Sequence, residues 1–241
     1  KNPSVSIEDV TLCEGGSQTL KATVEGDELT AYSWTDEEGN GLGDAETLTV
    51  TPVEDARYTL TVTSASCGDA SATAKVTVIE VPRLLMDSVG LRSREFQVEN
   101  LTSSAYEYKV DKSEWQSSGL FENLIYDLLH TAYVRDEYGC EGTLMFIVKA
   151  PDYELEPYVT PDDDGVKDKW SVTTLLEIYP NANVIIYDRY GKQLVELKGS
   201  DTEWDGTYNG NPLPSTDYWY TVNIPEIDKN YSGHFTLIRR K

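Results

Sequence analysis

The sequence predicts an all-β fold built as three tandem small β-sandwich domains. Three observations lead there. Apolar and β-branched residues alternate with period two in short segments along the whole chain, which puts one set on a core face and the other in solvent. Turn pairs fall between those segments: Tyr138-Gly139, Tyr190-Gly191, Asp205-Gly206 and Asn209-Gly210. Such pairs tolerate the positive φ angles of tight hairpins. Finally, two proline-marked junctions, Val81-Pro82 and Ala150-Pro151, divide the 241 residues into 1–80, 81–150 and 151–241. Each piece is of a size for one small domain.

Composition narrows the classes of function. Hydrophobic residues make up 39% and charged residues 26%, the balance of a folded, soluble chain. With 42 acidic against 20 basic residues the formal charge is -22. Binding to nucleic-acid phosphates or to an anionic membrane surface needs clustered Lys and Arg, so neither is an expected partner. No apolar run approaches the roughly 18–20 residues of a membrane span. The chain starts at Lys1 without Met, a charged n-region or an apolar core, which suggests a mature form or a fragment of something longer. Only two histidines, His130 and His234, are present, and CxxC, HExxH, GxSxG, P-loop and Rossmann glycine patterns are all missing. Acidic residues are too abundant for any carboxylate pair to stand out. The expectation is a protein that is not an enzyme.

In residues 1–80, strands are expected over 47–51, 58–63 and 74–78. Cys13, Trp34, Tyr58 and Cys67 follow one another through this alternation. The order resembles an immunoglobulin-like sandwich of the kind repeated in large bacterial surface proteins. That resemblance implies a Cys13–Cys67 disulfide. A link closing a loop of about 55 residues would add a few kcal/mol to a thin core by restricting the unfolded chain. It would also place the chain outside the cytoplasm. The alternative is two buried thiols. Trp34 reads as core before it reads as a ligand platform.

In residues 81–150, strands are expected over 96–98, 106–110 and 144–148. The helical period has one weak candidate, 121–130, where Asn123 and Asp127 break the apolar stripe, so a turn is expected. The run from Tyr106 through Trp115, then Phe121-Glu122-Asn123-Leu124, then Tyr133-Val134-Arg135-Asp136 to Gly139-Cys140, resembles a short repeat of giant gliding adhesins of Bacteroidetes. Ile125-Tyr126-Asp127 departs from the turn of those repeats. The piece reads as a spacer. Cys140 reads as a buried thiol, or less simply as one half of a bond to a neighbouring repeat.

In residues 151–241, strands are expected over 184–187, 218–222 and 234–238, and four motifs come in order. The first is Thr160-Pro161-Asp162-Asp163-Asp164-Gly165-Val166-Lys167-Asp168-Lys169-Trp170. The second runs from Tyr179-Pro180 to Asp188-Arg189-Tyr190-Gly191. The third is Trp204-Asp205-Gly206, with Asn209-Gly210 and Leu213-Pro214 behind it. The fourth is Tyr218-Trp219-Tyr220, with Gly233 and Arg239 closing the chain. In this order and spacing they resemble the gliding-motility-associated C-terminal domain, the type B sorting domain of the Bacteroidetes type IX secretion system. Asp162-Asp163-Asp164 stands where the family usually has Asn-Gly-Asp, and Thr216-Asp217 where it usually has Gly-Thr. The resemblance implies an export address that is itself a folded domain. Its cargo would pass through the periplasm and outer membrane to the cell surface or medium. The outer-membrane translocon and a dedicated outer-membrane partner protein would recognise the domain. Docking candidates are the last strand, Phe235 to Arg239 with its tail Arg240-Lys241, and the turn Tyr208-Asn209-Gly210.

The acidic motif carries one further expectation. Asp162, Asp164, the Val166 carbonyl and Asp168, with Gly165 at the bend, resemble half of a calcium loop. Thr160 and Ser171 would occupy its end positions, and the bidentate Glu is missing. The plainer reading is an acidic turn capped by its own side chains, with no cofactor. Trp170 and Trp204 are expected in the core, with sugar stacking as the alternative. The whole reads as the C-terminal part of a large secreted adhesin, two spacers followed by a sorting domain. The alternatives are a ligand- or glycan-binding adhesin module and a non-catalytic appendage of a secreted hydrolase.

Overall fold

The structure is a computed structural model and describes residues 2–26, 29–65, 67–101 and 103–239. Alternation in the first 80 residues produces nine strands among the described residues. They are β1 (Ser4–Ser6), β2 (Val10–Cys13), β3 (Gln18–Lys21), β4 (Thr23–Glu25), β5 (Leu29–Thr35), β6 (Gly41–Gly43), β7 (Thr47–Val50), β8 (Ala56–Ser64) and β9 (Gly68–Ile79). The main sheet has the order β2-β9-β8-β5-β6, with β3-β7 and β1-β4 as smaller pairs. β2 runs parallel to β9, whereas β5, β8 and β9 pair antiparallel. β8 shows why the pattern folds this way: Leu60, Val62 and Ser64 turn inward, and Thr59, Thr61 and Thr63 turn away. On the outer side Thr59 meets Thr73 on β9, Oγ1 to Oγ1 at 2.7 Å. Leu12, Leu20, Trp34, Val50, Leu60, Val62 and Val76 form the core. Trp34 is fully buried and its indole N–H donates to the Ala45 carbonyl at 2.9 Å, so its ring faces pack rather than present.

The disulfide differs from the expected one. Cys13 bonds to Cys140 across 127 residues of sequence, and Cys67 is exposed outside the bond. Sheet geometry is the reason. Cys13 lies opposite Ile79, the last residue of the 12-residue β9, and Cys67 immediately precedes its first residue. At ~3.3 Å per residue the two sit about 40 Å apart along the sheet, far beyond the reach of a disulfide. Cys140 is therefore neither a thiol nor a link to a neighbouring repeat. Three cysteines leave three pairings, and spacing alone does not choose among them.

The next strands are β10 (Leu84–Gly90), β11 (Ser93–Val98), β12 (Tyr106–Val110), β13 (Leu120–Phe121), β14 (Leu129–Asp136) and β15 (Glu141–Ile147). They form the sheets β10-β11-β13 and β12-β14-β15. Phe96 and Phe121 meet edge to face at 5.9 Å. Lys109 lies over Trp115 and Tyr133, each at 4.7 Å, and Arg135 lies over Trp115 at 4.3 Å. Between β13 and β14 the chain turns, with Asn123 and Asp127 at φ of 57° and 54°, the two residues that interrupt the apolar stripe.

The remaining elements are β16 (Tyr158–Val159), β17 (Trp170–Ser171), α1 (Thr173–Ile178), β18 (Asn183–Tyr187), β19 (Gln193–Leu197), β20 (Glu203–Trp204), β21 (Thr207–Tyr208), β22 (Asn211–Pro212), β23 (Thr216–Ile224) and β24 (Lys229–Leu237). Five strands form the sheet β16-β24-β23-β18-β19. The pair β17-β20 covers its inner face. There Trp170 stacks on Phe235 at 4.4 Å, and Trp204 meets Phe235 edge-on at 5.7 Å and Tyr218 at 5.3 Å. The short helix was not expected. It has under two turns and no capping side chain, so its signal is only the burial of Leu175, Leu176 and Ile178.

The chain folds into two compact units. One comprises Lys1–Val89, Arg94–Phe121 and Thr131–Met145, and so contains both ends of the disulfide; the other comprises Gly90–Ser93, Glu122–His130 and Phe146–Lys241. Within the second, the Tyr179 hydroxyl donates to Asp127 at 2.8 Å, and the hydroxyls of Tyr153 and Tyr231 meet at 3.0 Å. Among the described residues no helix is long and apolar enough to cross a membrane.

Candidate functional site

The four motifs of residues 151–241 converge at one end of the five-stranded sheet, where β23 begins and β24 ends, Thr216 opposite Leu237. Arg239, at the end of the fourth motif, ties in the first and the third. Its Nε donates to the Leu213 carbonyl at 2.9 Å, Nη2 to the Gly206 carbonyl at 2.9 Å and Nη1 to the Pro161 carbonyl at 3.5 Å. Its backbone N–H donates to Ser215 Oγ at 2.8 Å. A guanidinium has five donors in a planar fork, and a lysine could not span three loops in this way. Gly206 has φ of 77°, and a Cβ there would lie 2.5 Å from Leu237 Cδ1 and 3.2 Å from Arg239 Nη2. The Trp-Asp-Gly motif needs its glycine for both reasons.

The acidic loop is built around Asp168. One carboxylate oxygen accepts the N–H groups of Asp162 and Asp163, at 3.0 and 2.8 Å, and the other accepts that of Gly165 at 2.7 Å. These donors, Gly165 first, hold its carboxyl below the ordinary aspartate value against the opposing effect of desolvation. Asp164 accepts the Val166 N–H at 2.8 Å. Thr160 donates its hydroxyl to the Val166 carbonyl at 3.2 Å and its N–H to the Lys167 carbonyl at 2.7 Å. Carboxylate oxygens of Asp162, Asp164 and Asp168 all lie within 4.8 Å of one another. Calcium takes six to eight oxygens. Here the Val166 carbonyl and both Asp168 oxygens already serve the loop's own donors, and Ser171 Oγ pairs with Thr173 Oγ1 at 2.9 Å. In this arrangement the three carboxylates cap the turn's own N–H groups.

The other motif residues have similar tasks. Asp188 accepts the N–H groups of Tyr190 and Lys192 at 2.8 and 3.0 Å, which closes the β18–β19 turn over Gly191 at φ of 80°. Arg189 donates to Thr216 Oγ1 at 2.5 Å. Asp205 accepts the Thr207 N–H at 2.9 Å, and Trp204 donates its indole N–H to the Thr207 carbonyl at 2.9 Å. Asn209 and Gly210, both at positive φ, make the β21–β22 turn. Tyr218 donates to the Pro214 carbonyl at 2.9 Å. Trp170 is fully buried and donates to the Glu156 carbonyl at 2.8 Å. Tyr220 packs at 5.0 Å on Trp170, and a Cβ on Gly233 would collide with the Tyr220 hydroxyl oxygen at 2.4 Å. The motif residues thus hold the end in shape, and what they present outward is the exposed loop tips. Val166 is 63% exposed and Tyr190 86%.

Of the docking candidates, the last strand is already paired on both sides. β24 lies between β16 and β23, and the N–H groups of Thr236 and Ile238 donate to Pro157 and Val159. Arg240 and Lys241 lie outside the described residues. The Tyr208-Asn209-Gly210 turn is accessible at its Asn-Gly tip, and Lys192 Nζ lies 4.2 Å over the Tyr208 ring. Sequence reasoning missed the part of Glu156, whose carbonyl anchors Trp170 and whose carboxylate pairs with Lys167. No motif marks it.

Residues 153–237 match the family model described as the CHU_C type IX secretion signal domain. The match supports a secreted or cell-surface protein that carries its own sorting signal, and it implies contact with the secretion machinery. The chain has no match among curated proteins. Among solved structures, the eight N-terminal immunoglobulin domains of Down Syndrome Cell Adhesion Molecule align over 100% of this chain and 37% of their own, at 14% identity and TM-score 0.44. A three-immunoglobulin-domain piece of titin aligns over 99% of each chain, at 13% identity and TM-score 0.36. Fibronectin(III)-like modules of Clostridium thermocellum CbhA align over 62% of this chain and 98% of theirs, at 12% identity and TM-score 0.35. The chain therefore spans little more than a third of the first of these. At TM-scores below 0.5 these likenesses add nothing to the fold read from the strand order.

Proposed function

We propose that residues 151–241 act as a type B sorting signal read by the outer-membrane translocon together with a dedicated outer-membrane partner. Residues 1–80 and 81–150 then serve as spacer modules of a secreted surface adhesin, and no step of catalysis is involved. One observation carries the reading: the Arg239 fork ties the first motif at Pro161 and the third at Gly206 and Leu213 to the end of the last strand. A recognition domain needs such an end, because a presented surface must be held in one shape before its partner arrives. The exposed tips at Val166, Tyr190 and Asn209-Gly210 are the surface offered, and the shared edge between β24 and β16 is not.

The test is an export assay in a Bacteroidetes host. A periplasm-targeted fluorescent protein is fused to the whole chain, to residues 81–241 and to residues 1–150. Starting the shorter fusion at residue 81 retains Asp127, which holds Tyr179. Surface or medium signal is expected for the first two fusions in type IX-competent cells and for none in translocon-null cells. Periplasmic retention of the whole-chain fusion in competent cells, with the dedicated partner co-expressed, would overturn the reading.

A further inference from the structure

The outward face of the β18-β23-β24 part of the last sheet differs from the rest of the surface. Strand register places Tyr187 directly beside Trp219, and Trp219 directly beside His234. Adjacent strands lie about 4.8 Å apart, so the three rings make a strip about 10 Å across. Trp219 is 44% exposed. Two other tyrosines of this block have cations over their rings, Tyr158 with Lys167 at 4.0 Å and Tyr208 with Lys192 at 4.2 Å. Among the described residues no cation lies over Trp219 or Tyr187, and the Trp219 ring is exposed beside a half-buried Tyr187.

Four residues further along the same face comes a row of amides. Asn183 lies opposite Asn223, and Asn223 opposite Asn230. Asn223 Nδ2 donates to Asn230 Oδ1 at 2.6 Å, and Asn183 Nδ2 to Glu196 Oε1 at 3.1 Å. These bonds fix the amides and leave each with further donors or acceptors. A depression of about 390 Å³ lies over Asn183, Ile185, Thr221, Asn223, Asn230 and Ser232, within the size range of small-ligand sites. No charged side chain lines it, in a chain where 26% of residues are charged.

We propose that this face binds a neutral carbohydrate chain, with sugar rings laid on the Trp219 strip and hydroxyls bonded to the Asn223 row. The chemistry selects that ligand class. Phosphate-bearing and acidic polymers are repelled by a protein of net charge -22 whose depression offers no Lys or Arg. A purely apolar ligand would strand the amides without partners. A sugar ring supplies both needs, an apolar C–H face for the indole and hydroxyls that donate to and accept from amides. The two rows lie about 13 Å apart along the strands, long enough for a short oligosaccharide. The site uses the outward face of strands whose inward residues hold the motif end, and it adds a ligand to the sorting reading without depending on it.

Affinity electrophoresis of the whole chain in native gels containing laminarin, mannan, xylan or dextran tests the proposal, with polygalacturonate as the acidic control. At least one neutral polymer is expected to retard the chain, and polygalacturonate is not. Trp219→Ala is expected to weaken that retardation about ten-fold or more, as loss of a central aromatic anchor does. Asn223→Ala should weaken it less, and Tyr190→Ala, off this face, should leave it unchanged. Trp219 points outward, so its variant keeps the fold, which near-ultraviolet circular dichroism of the buried tryptophans verifies. Passage of the chain unretarded through all four neutral gels overturns the proposal, and so does undiminished retardation of the Trp219 variant. Neither readout involves export, so failure here is distinct from failure of the sorting reading.

Discussion

The first sandwich and the last block are built on sheets of similar strand order and close them by different means. Read across the strands, β2-β9-β8-β5-β6 and β16-β24-β23-β18-β19 have the same pattern. In each, an early edge strand runs parallel to the closing one, β2 to β9 and β16 to β24, and the closing strand's other neighbour, β8 or β23, is antiparallel. The first sandwich fills its core with aliphatic side chains around a single tryptophan, and Cys13 at the end of its early edge strand is tied covalently to Cys140. The last block contains no cysteine, stacks five aromatic rings and ties its end with the Arg239 fork. One strand order therefore tolerates two kinds of closure. A covalent tie acts mainly on the unfolded chain. Aromatic packing and a hydrogen-bonded fork act on the folded one, where they also fix the shape of a surface.

Breaking the covalent tie should have the largest effect. Cys140→Ser, or reduction, removes a constraint spanning 127 residues and is expected to cost about 4–5 kcal/mol on the chain-entropy account. Urea unfolding read at the Trp34 indole measures it. Cys67→Ser should leave the transition where it was, because Cys67 is exposed and outside the bond. An equal loss in both variants would mean that the pairing differs from the one described.

The aromatic closure comes next. Phe235 is fully buried, against Trp170, Trp204 and Tyr218. Phe235→Ala should cost about 3–5 kcal/mol. The loss should appear in the near-ultraviolet signal of the last block, while the transition monitored at Trp34 stays in place. A shift of both by the same amount would show that the two blocks unfold as one cooperative unit, and the comparison drawn above would have to be restated for a single unit.

The Arg239 fork is a smaller, more specific target. Arg239→Ala leaves the Gly206 and Leu213 carbonyls without their charged donor and should cost about 2 kcal/mol. Arg239→Lys should restore little of it, since a single ammonium cannot reach three loops at once. If export depends on the shape of this end, both variants should reduce surface delivery of the fluorescent fusion more than they reduce its folded amount in the periplasm. Full recovery by lysine would reduce the fork to a point charge.

How much of this was legible beforehand follows from the kind of signal each feature leaves. Alternation in Tyr58 to Thr63 and Tyr218 to Val222 announces strands because burial has period two in a sheet. Asn123 and Asp127 announce a turn because they accept positive φ. The motif residues around Gly206 were legible as a pattern, but their shared partner was not: Arg239 finds Pro161 across 78 residues through backbone carbonyls, which have no sequence signature. The Cys13–Cys140 bond was illegible for a related reason. Its partners are chosen by where strand ends fall, and Cys67 stood nearer in sequence while lying at the far end of β9. The helix α1 escaped because six residues are too few to show a period.

The smallest expected effect separates two uses of one carboxylate. Asp168 is ionised and accepts three backbone N–H groups, which puts its folded value below the ordinary 3.8. A group depressed in this way stabilises the loop fully above that ordinary value, and its contribution fades as the pH falls through the lower, folded one. Amide exchange at Gly165 should therefore speed up on acidification below about pH 4 beyond what solvent chemistry alone produces. In Asp168→Asn, whose amide carries no charge and one acceptor fewer, that extra acceleration should be lost and exchange at neutral pH should already be faster. Calcium added to the wild-type chain at pH 7 should leave Gly165 exchange unchanged, because the oxygens it would need are engaged by the loop. Slower exchange on adding calcium, abolished in Asp168→Asn, would make the loop a cation site. The last block would then have a second, ion-dependent tie where the first has its disulfide.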